Sequence, residues 1–144
     1  GCLLTRGRWY FEATILRPGD ASQLGWADLS FSGSSDFGKG VGDDAHSWAY
    51  DGDRSYTPGK ALRWHREPGD YGRLWARGDV VGFAADLDRR IIEFTLNGES
   101  LGPAWVGISP HGGLMPALTL QSSRIRVNFG QKPFRAPPPA PGFR

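Results

Sequence analysis

Cysteine is almost absent from this chain, with Cys2 its one copy. No disulfide can form within the chain, and no zinc site can be built from cysteines. Cys2 reads as a reduced thiol of an intracellular, cytoplasmic protein. No apolar run approaches the roughly 20 residues of a membrane helix, so direct membrane insertion is not expected. No signal peptide stands at the start. The chain opens on Gly1 rather than Met, and the expectation is a piece of a longer protein. Blocks of like charge are missing too: 17 Lys and Arg face 15 Asp and Glu, a net charge of +2. Nothing in that balance demands a nucleic-acid partner. What is abundant is Gly (21) and Pro (11), the two poorest helix formers. Hydrophobic residues make up 39% and aromatics 12%, too rich for a disordered chain. The length of 144 residues fits one domain. Together these predict one compact all-β domain of short strands joined by Gly-rich turns.

Alternation places the strands. In Arg8 to Leu16, Trp9, Phe11, Ala13 and Ile15 share one face, and Tyr10, Glu12 and Thr14 the other, the pattern of a half-buried strand. Leu24 to Leu29, a segment with Trp48 and Tyr50, and one with Leu62 and Trp64 follow as strands. Residues 66 to 78 read as a loop around Pro68-Gly69-Asp70. The clearest hairpin runs from Asp79 to Leu96. With its turn centred on Asp88-Arg89, Ala85 faces Ile92, Phe83 faces Phe94 and Val81 faces Leu96, all on one face. Asn97-Gly98 is a strong turn signal, because both residues tolerate positive φ. Leu114 to Leu120 and Arg124 to Phe129 close the series, the latter with Ile125, Val127 and Phe129 inward. Nine or ten short strands, no helix and no internal repeat favour an antiparallel sandwich or barrel. Residues 1–134 read as a single domain and 135–144 as a Pro-rich, irregular tail.

Catalytic and metal chemistry find little support. His46, His65 and His111 match no metal-ligand spacing and read as surface loop residues. The acidic run Asp43-Asp44 to Asp51-Gly52-Asp53 lacks a calcium loop's alternation and is explained by turn formation. Asp86 and Glu93 could be a glycosidase pair, but nothing in the sequence buries them. There is no nucleophile elbow, no phosphate-binding loop and no dinucleotide fingerprint, so no cofactor is expected. Arg124, Arg126, Lys132 and Arg135 could meet a nucleic acid, but the strand arginines alternate with a core face and read as a solvated face. Most Trp residues fall on inward faces. Tyr56 and Trp75 fall in loops, where aromatics on a rigid sandwich commonly serve recognition.

Several blocks resemble one family. Gly7-Arg8-Trp9-Tyr10-Phe11-Glu12 is similar to the opening strand of SPRY domains, and Leu24-Gly25-Trp26-Ala27 to their next. Residues Gly42 to Gly52, containing Ser47-Trp48, Gly78-Asp79-Val80-Val81-Gly82 with Asp86-Leu87-Asp88, and Ile92 to Gly98 resemble the succeeding blocks. Met115-Pro116-Ala117 and Val127-Asn128-Phe129-Gly130 resemble the closing strands. The likeness runs from about Gly7 to Phe134. Arg63-Trp64-His65 and Tyr71-Gly72-Arg73 with Trp75 resemble the SPRY repeats of ryanodine receptors; such domains also occur in large ubiquitin ligases and scaffold proteins.

The resemblance implies a bent antiparallel sandwich of two sheets that is not an enzyme. It implies a protein-interaction module, binding a partner segment through loops at one end. In the SOCS-box SPRY proteins a loop Tyr touches the peptide, and Tyr56 matches that position. The expected site is therefore Asp20, Asp51, Arg54, Tyr56, Trp75, Gln121 and Ser122, with Tyr56 as anchor and Arg54 and Asp51 as polar contacts. Gln121 and Ser122 stand where that group has a peptide-contacting Trp, so its peptide motif does not carry over. Two alternatives remain open: permanent packing within a giant parent chain, or a carbohydrate-binding sandwich stacking a sugar on Trp75 or Tyr56.

Overall fold

The computed structural model describes residues 3–36, 38–53 and 59–143. Among them there are ten strands and no helix, so none is long and apolar enough to cross a membrane. The strands are β1 (Arg8–Arg17), β2 (Gln23–Asp28), β3 (Ser47–Asp51), β4 (Leu62–His65), β5 (Glu67–Asp70), β6 (Val80–Asp86), β7 (Ile91–Leu96), β8 (Glu99–Val106), β9 (Leu114–Thr119) and β10 (Arg124–Asn128). They form two five-stranded antiparallel sheets, ordered β10-β1-β6-β7-β8 and β5-β4-β3-β2-β9. The all-β, two-sheet antiparallel class expected from the sequence is the one observed.

The sheet containing β6 and β7 belongs to a unit made of Arg6–Pro18, Trp75–Ser109 and Arg124–Arg144. Its hairpin has the register read from the alternation: Val81 opposite Leu96, Phe83 opposite Phe94, Ala85 opposite Ile92. Asp86 Oδ1 accepts the amides of Asp88 (3.1 Å) and Arg89 (2.9 Å), which closes the turn. At the other end Asn97 and Gly98 both have positive φ (53° and 80°), as a two-residue hairpin turn requires. Asn97 also accepts the Val80 amide at 2.8 Å, which ties that turn to the start of β6.

β1 differs from its half-buried reading, because both of its faces are buried. Phe11, Ala13 and Ile15 are buried on one side, and Tyr10, Glu12 and Thr14 on the other. The covering element is the Pro-rich tail, which docks against β1. Glu12 Oε1 accepts the Arg135 amide at 2.7 Å, and Oε2 accepts the Ala136 amide at 3.0 Å. Tyr10 donates to the Ala136 carbonyl at 3.2 Å, and its ring meets Phe134 edge-on at 4.8 Å. Burial is the main cause that pushes the Tyr10 phenol up to about 12, and the neighbouring Glu12 charge adds to it, so it stays a donor. Phe129 is a further difference: expected inward, it is 57% exposed, with its ring 5.4 Å from Phe11.

The second unit holds the other sheet and comprises Gly1–Thr5, Gly19–Leu74 and Pro110–Ser123. Gly25 sits where a Cβ would collide with the Trp48 carbonyl, which explains Gly beside Trp26 in this central strand. Trp26 and Trp48 are opposite one another in register and almost wholly buried. Part of the expected 66–78 loop is strand: β5 pairs with β4, Trp64 opposite Pro68. Pro lacks an amide to donate, yet β5 is the last strand of its sheet, where that loss is tolerated. His65 is also no loop residue; it lies on β4 and stacks on Trp48 at 4.9 Å.

Candidate functional site

Three loops of the second unit meet at one place: the turn entering β2, the segment leaving β3, and the connection between β9 and β10. Asp53 holds the first two together. Its carboxylate accepts the Gly19 amide at 3.2 Å and the Ser22 amide at 2.9 Å, and the residue is 4% exposed. Ser22 joins the third loop, its hydroxyl 2.6 Å from that of Ser123 and accepting the Gln121 amide at 3.4 Å. The Asp20 amide donates to the Gln121 carbonyl at 3.0 Å. Gly19 lies so close to Gln121 and Ser123 that a side chain there would collide with the Gln121 carbonyl. Asp20, Gln121 and Ser122 are left exposed on this clamped platform. Ser122 has a positive φ of 57°, a strained value for a residue with a Cβ.

Two expected site residues are placed differently. Asp51 is 3% exposed, so it is no surface contact. It accepts the Asp53 amide at 3.0 Å and so orients the clamp from below. Trp75 does lie in a loop, but it is 6% exposed and offers no ring face to a partner or a sugar. An aromatic in a loop is not thereby at the surface, since large apolar rings are drawn into the core wherever the loop permits. Arg54 and Tyr56 lie outside the described residues. The sequence reading missed Asp53 and Ser22. The Asp51-Gly52-Asp53 pattern signalled a turn, but not that the second carboxylate reaches across to another loop.

Burial is the main cause that pushes the Asp51 carboxyl up to about 7; the hydrogen bond from the Asp53 amide opposes this, and the nearby Asp53 charge raises it further. The folded chain thus holds a proton on Asp51 that the unfolded chain, near the ordinary 3.8, has lost. Stability from this group is greatest at low pH and falls as pH rises from about 4 to about 7. A tenfold proton ratio is worth about 1.4 kcal/mol, so the fall is on the order of 4 kcal/mol. Asp51→Asn is expected to keep the bond to Asp53 and remove this fall. Its stability relative to the parent should therefore rise between pH 4 and pH 8. Urea midpoints at pH 4, 6 and 8 check this, and parallel profiles for the two proteins would refute it.

Beside the platform runs a polar groove of about 350 Å³, lined by Gln23, Ser34, Asp36, Asp43, Thr119 and Gln121 among others. Asp43 is fixed by the Gln23 amide group (3.0 Å) and the Gly40 amide (2.7 Å), while Thr119 accepts the Val41 amide at 2.9 Å. Leu120, 47% exposed, also lines it. Hydroxyls, two amide side chains, carboxylates and the aliphatic Leu120 suit hydrogen-bonded recognition of a segment. Among the described residues no cluster of His, Cys, Asp and Glu could hold a metal ion.

The SPRY-domain family model matches residues 8–132. This chain belongs to the SPRY family. It is 40% identical over 136 residues to E3 ubiquitin-protein ligase RKP of Arabidopsis thaliana, covering 92% of this chain and 10% of that protein. It is 32% identical over 132 residues to the probable ATP-dependent RNA helicase ddx1 of Dictyostelium discoideum, covering 92% of this chain and 16% of that protein. This SPRY domain thus spans a small fraction of the curated relatives it matches. The family is one of non-catalytic protein-interaction modules, and the two antiparallel sheets here are those of its β-sandwich fold.

Proposed function

We propose that this SPRY domain binds an extended segment of a partner protein on the clamped platform and its groove. The observation that supports this is the Asp53–Ser22 clamp. Loops gathered by buried side chains hold Asp20, Gln121 and Ser122 outward in fixed positions, and preorganised polar groups lose little entropy on binding. Tyr56 and Arg54 follow Asp53 directly in sequence and are proposed as aromatic anchor and polar contact. The relatives' names point to unlike chemistries, ligase and helicase, which fits a module whose role is recognition. Within a ligase the same site would recruit a substrate.

Display of a peptide library against the 144-residue chain tests this. The parent should enrich a common motif. Tyr56→Ala, and separately Asp20→Ala with Gln121→Ala, should weaken the selected peptide by about 2 kcal/mol, roughly thirtyfold. Unchanged affinity in folded variants would refute the site.

A second reading is packing of this surface against the rest of a long parent chain, favoured by the one-tenth coverage of the relative. Crosslinking in the full-length parent separates the two readings, since exclusively intramolecular links support packing.

A further inference from the structure

The unit built on β1 and β6 carries a feature that partner binding at the platform does not use. Four arginines from four separate segments line one groove of about 560 Å³: Arg17 at the end of β1, Arg77 before β6, Arg124 opening β10, and Arg135 in the tail. Thr14 and Gly78 contribute to its floor and wall. Arg17 and Arg124 are direct partners across the β1–β10 ladder. Arg126, opposite Thr14, shares the face of Arg124 two residues away. Arg135 donates to the Thr14 hydroxyl at 3.2 Å, which holds its guanidinium at this face. All five arginines are exposed.

Like charges directly opposite on neighbouring strands oppose folding. Here four positive charges share one groove in a chain whose net charge is +2. Among the described residues no Asp or Glu lines this groove, and no ion pair engages these arginines. Local conflicts of this kind are expected at functional sites. We propose that this groove binds a phosphorylated side chain on an extended peptide segment.

A phosphate carries nearly two negative charges and three acceptor oxygens, which several guanidinium forks can share, whereas a carboxylate would leave most of them unmatched. Nucleic acid is disfavoured because no aromatic ring among the described residues lines the groove to stack a base. None of the large exposed hydrophobics Leu29, Val106, Leu120 and Phe129 lines it either, which disfavours a membrane surface.

The test is fluorescence anisotropy with the whole 144-residue chain and labelled Gly-Ser peptides carrying one central phosphoserine, serine or glutamate, plus a labelled oligouridylate. The phosphoserine peptide should bind at least about tenfold tighter than the serine and glutamate peptides, and added salt should weaken it. Arg17→Ser with Arg124→Ser should abolish that preference, while Arg89→Ser, on an exposed arginine outside the groove, should keep it. As a measurement on the unmutated chain, amide NMR shifts caused by the phosphopeptide should fall on residues 14–17, 77–78, 124–126 and 135. Equal binding of serine or glutamate peptides would overturn the proposal, as would tighter binding of the oligouridylate. So would shifts centred on residues 19–22 and 121–123, an outcome that would leave the platform reading standing.

Discussion

Phe83→Ala should lower the unfolding free energy by about 3–5 kcal/mol, the cost of removing a large ring from a site that cannot collapse. Phe83 has no exposed surface. Its ring stacks on Phe11 at 4.2 Å, nearly parallel, and meets Phe94 edge-on at 5.7 Å. Phe11, Phe83 and Phe94 are consecutive register partners across β1, β6 and β7, so the three rings form one row through the middle of their sheet. Domains of this kind are stable by only about 5–15 kcal/mol, so the variant should be close to unfolding at 37 °C. The urea midpoint should fall with the slope unchanged. Phe129→Ala, at an exposed ring, should cost far less. A loss at Phe83 below about 1.5 kcal/mol would mean the row is not packed as described.

Removal of the Glu12 carboxylate should have the next largest effect. Glu12 is 1% exposed and accepts the Arg135 and Ala136 amides as well as the Asn128 side-chain amide at 3.3 Å. Glu12→Ala leaves two tail amides without their acceptor. At about 1–3 kcal/mol for each unsatisfied buried group, the expected loss is about 3–4 kcal/mol. Glu12→Gln keeps one acceptor oxygen and should lose roughly half as much. The tail is held at this point, so trypsin should cut Glu12→Ala faster after Arg135 than it cuts the parent. Deletion of residues from Arg135 onward should destabilise the chain comparably. An unchanged midpoint after that deletion would show that the tail adds nothing to the fold.

Both predictions bear on what could be read beforehand. The Phe83–Phe94 pair was legible, because alternation fixes which residues share a face and the Asp88-Arg89 turn fixes which strand positions oppose, whereas the place of Phe11 beside Phe83 came only from the β1–β6 pairing. β5 was hidden by Pro68 and Gly69, whose intrinsic preferences argue against a strand and yield only at a sheet edge. At the candidate site, Asp20 lies on a loop adjoining that of Gln121 and Ser122, while Asp51 and Trp75 are not at the surface. Residue type gave Trp75 a recognition role, but burial decides whether a ring is available, and burial is set by everything packed around the loop.

The sequence by itself determined the all-β class, the hairpin register and the Asn97-Gly98 turn, because those rest on a period of two and on the dihedral preferences of a few adjacent residues. Tertiary structure alone decided which carboxylates became structural and which arginines became neighbours. Glu12 meets Ala136 across 124 positions and Asp53 meets Ser22 across 31. Arg17, Arg77, Arg124 and Arg135 share a groove only once four segments are brought together. No local preference encodes such meetings, because they arise from how whole strands and the tail pack on one another.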